Sequence, residues 1–248
     1  MGILQNENAI PSAVGAAGFY DYQIEQSVRF DAADSSLLRR TPSSAGNRTT
    51  WSFSAWIKRS KLSAFQMIFE AGSGAVAVDS RLFHAFTTGD AMEASSGTVN
   101  FGSSSALLRD IGGWNHIFIK LTGGTETFYL NGNSIKSHSI AGNTAVNSTV
   151  SHGIGCRSNT TSDSFGGYMA EVLLFDGTAY DPTDVAETKN GVWVPKDPSS
   201  LTFGTNGVHL KFENASDLGN DSSGNNNDFT ATNMGTDHQV LDSPTFGS

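Results

Sequence analysis

Glu171 and Asp176, near the end of the longest apolar run, come nearest to catalytic machinery in this chain. Two carboxylates roughly 5 Å apart across a glycosidic bond would make a retaining glycanase. Five residues apart, they point to opposite faces of a regular strand. A Glu-x-Asp-x-Glu arrangement is absent, so Glu171 is expected to hydrogen-bond a neighbouring strand. His116 lies mid-strand between Asn115 and Ile117 with no partner suggested, which reads as a hydrogen-bonded structural imidazole. His84, His138, His152, His209 and His238 show no metal-ligand spacing. Cys156 is the one cysteine, so no intramolecular disulfide forms and the thiol is expected to be buried. No catalytic residue is assigned.

Oxygen-rich side chains crowd a second stretch: Asp217, Asn220, Asp221, Asn225, Asn226 and Asp228. Hard cations take such ligands, and Asp217, Asn220 and Asp221 are the candidate calcium set. The glycine and closing glutamate of an EF-hand are missing, and the competing reading is a turn built on Asx side-chain bonds. For sugar stacking the candidates are Trp51, Trp56, Trp114 and Trp193. Trp51 shares a face with Phe53 and Ile57 and is expected in the core. Trp193, between Val192 and Val194 ahead of Pro195, reads as packing.

Totals narrow the field. The chain has 248 residues with 38% hydrophobic and 10% aromatic residues, enough for one large core. Only 16% are charged while 27 are glycine, the profile of a turn-rich β protein. A net charge of −9 with scattered bases argues against a nucleic-acid partner. Arg39-Arg40 and Lys58-Arg59-Ser60-Lys61 are the only basic clusters, expected as solvated loops. No run reaches the roughly 18 apolar residues of a membrane helix, so no membrane insertion is expected. Met1-Gly2-Ile3-Leu4-Gln5 does not open like a secretory leader.

The elements that would position these residues are strands. From Trp114 to Leu121, alternate residues share a face, Gly123-Gly124 permits a reversal, and Thr127–Leu130 is rich in β-formers. Asn131-Gly132 then signals a type I′ hairpin, giving a three-strand meander. Before it, Trp51, Phe53, Ala55 and Ile57 face one way, and Ser52, Ser54, Trp56 and Lys58 the other. Ser27–Asp31, Ser36–Arg40, Phe65–Glu70, Ala75–Val78, Arg81–Phe86, Gly97–Phe101, Thr149–Gly155, Gly167–Gly177 and Asp228–Thr232 also read as strands. Gly207–Glu213 alternates like a core strand and is expected to join the sandwich. Asp181–Glu187 is the one helical turn, with Pro and acids early. About a dozen short strands and almost no helix predict an all-β, antiparallel sandwich. Residues 1–26, small and aperiodic, read as an N-terminal arm. Residues 27–248 form one domain, with 195–248 packing on or completing the sandwich.

Phe53-Ser54-Ala55-Trp56-Ile57-Lys58, Trp114-Asn115-His116-Ile117, Phe128-Tyr129-Leu130-Asn131-Gly132 and Phe165-Gly166-Gly167-Tyr168-Met169-Ala170-Glu171-Val172 resemble, in order, the signatures of laminin-G-like, concanavalin A-like jelly rolls. A narrower resemblance is to bacteriophage virion structural proteins. It is carried by Ser27–Asp31, Leu38–Arg48, Trp56-Ile57-Lys58-Arg59-Ser60, Asn190-Gly191-Val192-Trp193-Val194-Pro195-Lys196, Asp221–Phe229 and Asp242-Ser243-Pro244-Thr245. The resemblance implies a non-enzymatic component at the virion surface: a tail fibre, appendage or capsid decoration. It implies partners among other virion proteins through the arm, a homo-oligomer with a trimer favoured, and contact with host surface glycans. A glycan-active enzyme or soluble lectin is the alternative.

Overall fold

The computed structural model describes residues 18–72, 74 and 77–246. Its strands run β1 (Ser27–Phe30), β2 (Leu37–Arg40), β3 (Trp51–Arg59), β4 (Gln66–Gly72), β5 (Arg81–Phe86), β6 (Ala91–Ser95), β7 (Asn100–Leu107) and β8 (Asn115–Thr122). They continue with β9 (Thr125–Leu130), β10 (Asn133–Ser139), β11 (Ser151–Ile154) and β12 (Gly167–Asp176). A short helix α1 (Pro182–Val185) precedes β13 (Ala186–Lys189), β14 (Val192–Pro195), β15 (Val208–Leu210), β16 (Thr230–Thr232) and β17 (Gln239–Val240).

Two antiparallel sheets face each other, as the strand pattern predicts. One has the order β10-β9-β8-β3-β12-β1-β17, with β15 also on β12 beside β1; the other is β16-β2-β11-β4-β5-β6-β7. β13 and β14 form a separate hairpin. The expected meander is β8-β9-β10. Its turns have positive φ at Gly123, Gly124, Asn131 and Gly132, the type I′ requirement. The expected alternation of β3 holds. Trp51, Phe53, Ala55 and Ile57 enter the core between the sheets, with Ile117, Ile119 and Leu121 of β8 and Met169, Val172 and Leu174 of β12. Each such aromatic or aliphatic side chain contributes about 1.5–3 kcal/mol by leaving water.

Much of the outer face of the first sheet is covered. Phe118, Leu173 and Phe175 are covered by Val185 and Phe203, and Trp56 and Ala170 by Ile24 and Ala186. Of the expected arm, residues 1–17 lie outside the described residues, while the stretch from Gly18 to Gln26 packs against this face. There Tyr22 donates to Glu171 at 2.8 Å, and Ile24 donates its amide to Thr245 Oγ1 at 2.9 Å. The Gly207–Glu213 run adds β15 to the sheet, Leu173 opposite His209.

Two expectations are corrected. Arg59 is not in a solvated loop: it ends β3, 3% exposed, bonded to Asp90 at 3.1 Å and to the Leu108 carbonyl at 2.6 Å. A guanidinium can be buried there because Asp90 matches its charge and the Phe86 ring faces it at 4.2 Å. Arg39 and Arg40 end β2, as the strand reading of Ser36–Arg40 has it, and do not lie in a solvated loop. Of the expected strand at Ala75–Val78, Ala75 and Val76 lie outside the described residues. Ala77 instead accepts turn bonds from Ser80 and Arg81.

Candidate functional site

On the outer face lies an aromatic cleft of about 480 Å³, lined by Trp56, Trp114, Asn131, Asn133, Thr188 and Trp193 among others. Three elements bring the tryptophans together. Trp56 points outward from β3 because Ala55 and Ile57 point inward, and at 4% exposure it forms the base. Trp114 precedes β8 on the same face. Trp193 comes from the β13–β14 hairpin, which Asn190-Gly191 turns with positive φ at both residues. Trp114 and Trp193 remain partly exposed.

Each wall is held by a hydrogen bond. Trp193 Nε1 donates to His116 Nδ1 at 3.1 Å, and Trp114 Nε1 donates to Asp242 Oδ1 at 3.1 Å. Because His116 Nδ1 accepts, its proton sits on Nε2, which faces Ser54 Oγ at 2.8 Å. Burial holds the His116 pKa down at about 3, so the ring is neutral. It lies 5.0 Å from the Trp56 ring and 6.1 Å from that of Trp193. His116 is thus structural, as its sequence context suggests, and it supports the cleft. Trp193 also lies flat on Gly132, where a Cβ would fall 2.7 Å from the indole. Asn131 accepts the His116 amide at 2.7 Å and donates to Asn115 at 3.1 Å. Asn133 donates to the Asn131 carbonyl and is exposed. Fixed indoles beside amide groups can stack on an apolar ring face and bond the hydroxyls around it.

The two carboxylates weighed as a catalytic pair serve different places. A β-bulge opposite β3 inserts Glu171, whose φ is +49°, and turns it to the outer face. There Oε1 accepts from Tyr22 and, at 2.5 Å, from His209 Nε2. Burial first, then the Glu171 charge, raises the Tyr22 pKa well above the ordinary tyrosine range. Asp176 stands opposite the inward Trp51 and accepts the amides of Asn47 at 2.6 Å and Asn206 at 2.9 Å. Neither lines the cleft.

The candidate calcium residues are not gathered into one cage. Asp221 accepts from the His209, Ser223 and Asn227 amides, each at 2.9 Å, and from Ser223 Oγ at 2.8 Å. Asp217 and Asn220 are exposed and meet each other through a backbone turn bond. These contacts are those of an Asx-built turn. Among the described residues no cluster of three or more His, Cys, Asp or Glu side chains is arranged to hold a metal. Cys156 is buried and free, and burial pushes its thiol pKa up.

Sequence reasoning missed a buried acid between two imidazoles. Glu126 lies 2.9 Å from His84 Nε2 and 2.9 Å from His138 Nε2, inside the sandwich. Burial pushes its carboxyl up, but the two imidazoles outweigh that and hold it below the usual range. Nothing in the sequence signals this, because the three residues come from β5, β9 and β10.

The sequence profile described as the concanavalin A-like lectin/glucanases superfamily, Laminin G 3, matches residues 32–186. Among curated proteins none matches significantly. Among solved structures, a candidate carbohydrate binding protein from Bacteroides ovatus superposes with TM-score 0.60 at 15% identity, covering 86% of this chain and 61% of that one. A K499G mutant of NanB sialidase from Streptococcus pneumoniae gives 0.50 at 14%, covering 71% and 28%. Domains LG4-5 of the mouse laminin alpha1 chain give 0.48 at 16%, covering 76% and 48%. The chain spans less than two thirds of the length of each of these. At such identities the likeness is one of fold.

Proposed function

The chain belongs to the concanavalin A-like lectin/glucanases superfamily, and from that premise we propose that it is a non-catalytic glycan-binding module on a virion surface. The observation that carries the glycan reading is the cleft, where Trp114 and Trp193 are hydrogen-bonded in place yet partly exposed beside Asn131, Asn133 and Thr188. An aromatic ring held in place with part of its surface open is ready for a sugar ring. The non-catalytic reading is supported by Glu171 and Asp176, which hold structural partners away from the cleft. The virion setting rests on the resemblance of Asn190–Lys196, Asp221–Phe229 and Asp242–Thr245 to bacteriophage structural proteins. Attachment through the N-terminal arm and assembly as a homo-oligomer belong to the same proposal.

The test is binding of the purified protein to an array of neutral and acidic bacterial-surface polysaccharides, with Trp193→Ala and Trp114→Ala beside it. An anchoring tryptophan is worth about 2 kcal/mol or more, so affinity should fall about 30-fold in either variant. Equal binding by wild type and both variants would remove the cleft from the reading. Gold-labelled antibody on intact particles tests the setting, and unlabelled particles would refute it.

A further inference from the structure

A second cavity opens on the same outer face, about 430 Å³, lined by Arg29, Asp31, Ser60, Lys61 and Tyr168 among others. It adjoins the tryptophan cleft, since the Tyr168 and Trp114 rings meet edge to face at 6.5 Å. Strand register explains the placement. Tyr168 of β12 stands between Lys58 of β3 and Arg29 of β1, so the three form one row across the sheet.

The charges in that row are unequal. Lys58 is matched by Asp242 at 2.9 Å. Arg29 and Lys61 have no ion-pair partner among the described residues, although the chain carries 24 acids against 15 bases. Arg29 is partly buried, and its Nε is closed off from water with no hydrogen-bond partner. A partly buried guanidinium without a counter-charge is costly, and an anion entering the cavity would supply one. The planar fork of arginine suits a carboxylate, which it can grip with two parallel bonds. One acid also lines the cavity: Asp31, whose Oδ1 accepts the Ala33 amide at 2.9 Å. Its charge disfavours a bare anion but accepts a hydroxyl well. Ser60 adds a hydroxyl and Tyr168 a ring face.

We infer that this cavity is a subsite for an acidic sugar, its carboxylate on Arg29 and Lys61, its hydroxyls on Asp31 and Ser60, and its ring against Tyr168. The inference rests on the glycan reading and deepens it: the ligand is a polysaccharide carrying uronic or sialic acid units, with a neighbouring unit in the tryptophan cleft.

The test uses oligogalacturonides and oligosialic acid, each beside its carboxyl-reduced form, with neutral glucans as a third set. Titration calorimetry of the full chain should show one acidic form binding 10-fold to 100-fold more tightly than its reduced form, the worth of a charge-assisted hydrogen bond. Arg29→Gln should erase that preference, so that acidic and reduced forms bind alike. Lys61→Gln, at an exposed site, should reduce it without altering the melting temperature. Equal binding of acidic and reduced forms by wild type overturns the inference and leaves the cleft reading standing. Failure of every glycan, neutral and acidic, overturns both. Inorganic phosphate should not compete at the same concentration. If it competes as well as the sugar acid, the cavity is a plain anion site and the sugar assignment fails.

Discussion

Acid should destabilise this protein through two imidazoles, and the amount can be worked from their bonds. His116 accepts from Trp193 Nε1 and faces Ser54 with its other nitrogen. His152 accepts the Asn147 amide on Nε2 at 3.0 Å and faces the Val150 carbonyl with Nδ1 at 2.8 Å. Each ring is satisfied only when neutral, because a second proton would point at another donor. Burial holds their pKa values down, at about 3 for His116 and about 4 for His152, from an ordinary 6.5. A base with a depressed folded pKa binds fewer protons folded than unfolded, so stability is full above about pH 6.5 and falls as pH drops below it. Each pH unit is worth about 1.36 kcal/mol per group. Between pH 7 and 5 each ring therefore loses about 2 kcal/mol, together about 4 kcal/mol. Glu93, whose carboxyl is raised by burial, gains its proton more readily in the folded state and offsets part of this at the acid end. For a domain of this size the melting temperature should fall by roughly 8–16 °C. The assay is thermal and urea unfolding at pH 7 and 5 for wild type, His116→Gln and His152→Gln, comparing slopes with pH and not absolute stabilities. Each variant should lose about half of the dependence. A wild-type fall below about 3 °C, or variants with the full slope, would refute the reasoning.

Two further outcomes can be checked with the same assay. Asp176→Ala strips the acceptor from the Asn47 and Asn206 amides, and two bonds to a buried charge make this about 4 kcal/mol at neutral pH; a loss under about 1 kcal/mol would mean the loop at 44–47 is held by something else. Chelator or added calcium should move the melting temperature by less than about 1 °C, because the Asp221 oxygens already accept four donors. A calcium-dependent rise of several degrees would show that the loop opens its bonds to take the ion.

What could be read in the sequence was local. The alternation of β3 and β8 fixed which tryptophan entered the core, since a strand has only two faces. Gly123-Gly124 and Asn131-Gly132 marked their turns because positive φ is a property of the residues themselves. The bulge at Glu171 was not legible: a glutamate carries no glycine-like permission for φ of +49°, and only Tyr22 and His209, from opposite ends of the chain, hold it there. Trp193 was read as packing. That describes its seat on Gly132 and His116 but not its open edge, which exists because the hairpin ends there. The basic run at 58–61 was read as solvated, yet its members part ways: Lys58 pairs with Asp242, Arg59 is buried on Asp90, and Lys61 lines a cavity. Adjacent residues on a strand face opposite sides, so Lys58 and Arg59, the two members inside β3, cannot share one environment.

Half of the cleft's lining comes from chain outside the family match at residues 32–186. Within the match lie the central strands β3, β8, β9, β10 and β12 with Trp56, Trp114, Asn131 and Asn133. Outside it lie Trp193 on its hairpin and Asp242, which divides its carboxylate between Trp114 and Lys58. Asp242 is itself placed by a clasp of the two ends. Its carbonyl accepts from Ser27 Oγ at 2.5 Å, and Thr245 Oγ1 exchanges bonds with both the amide and the carbonyl of Ile24. β17 pairs with β1 beneath this clasp. The shared jelly roll therefore supplies a platform, and the flanking segments decide what can sit on it. Members of the family with other flanks would keep the platform and lose these walls, which is why the fold alone does not name a ligand and the cleft and its neighbouring cavity must.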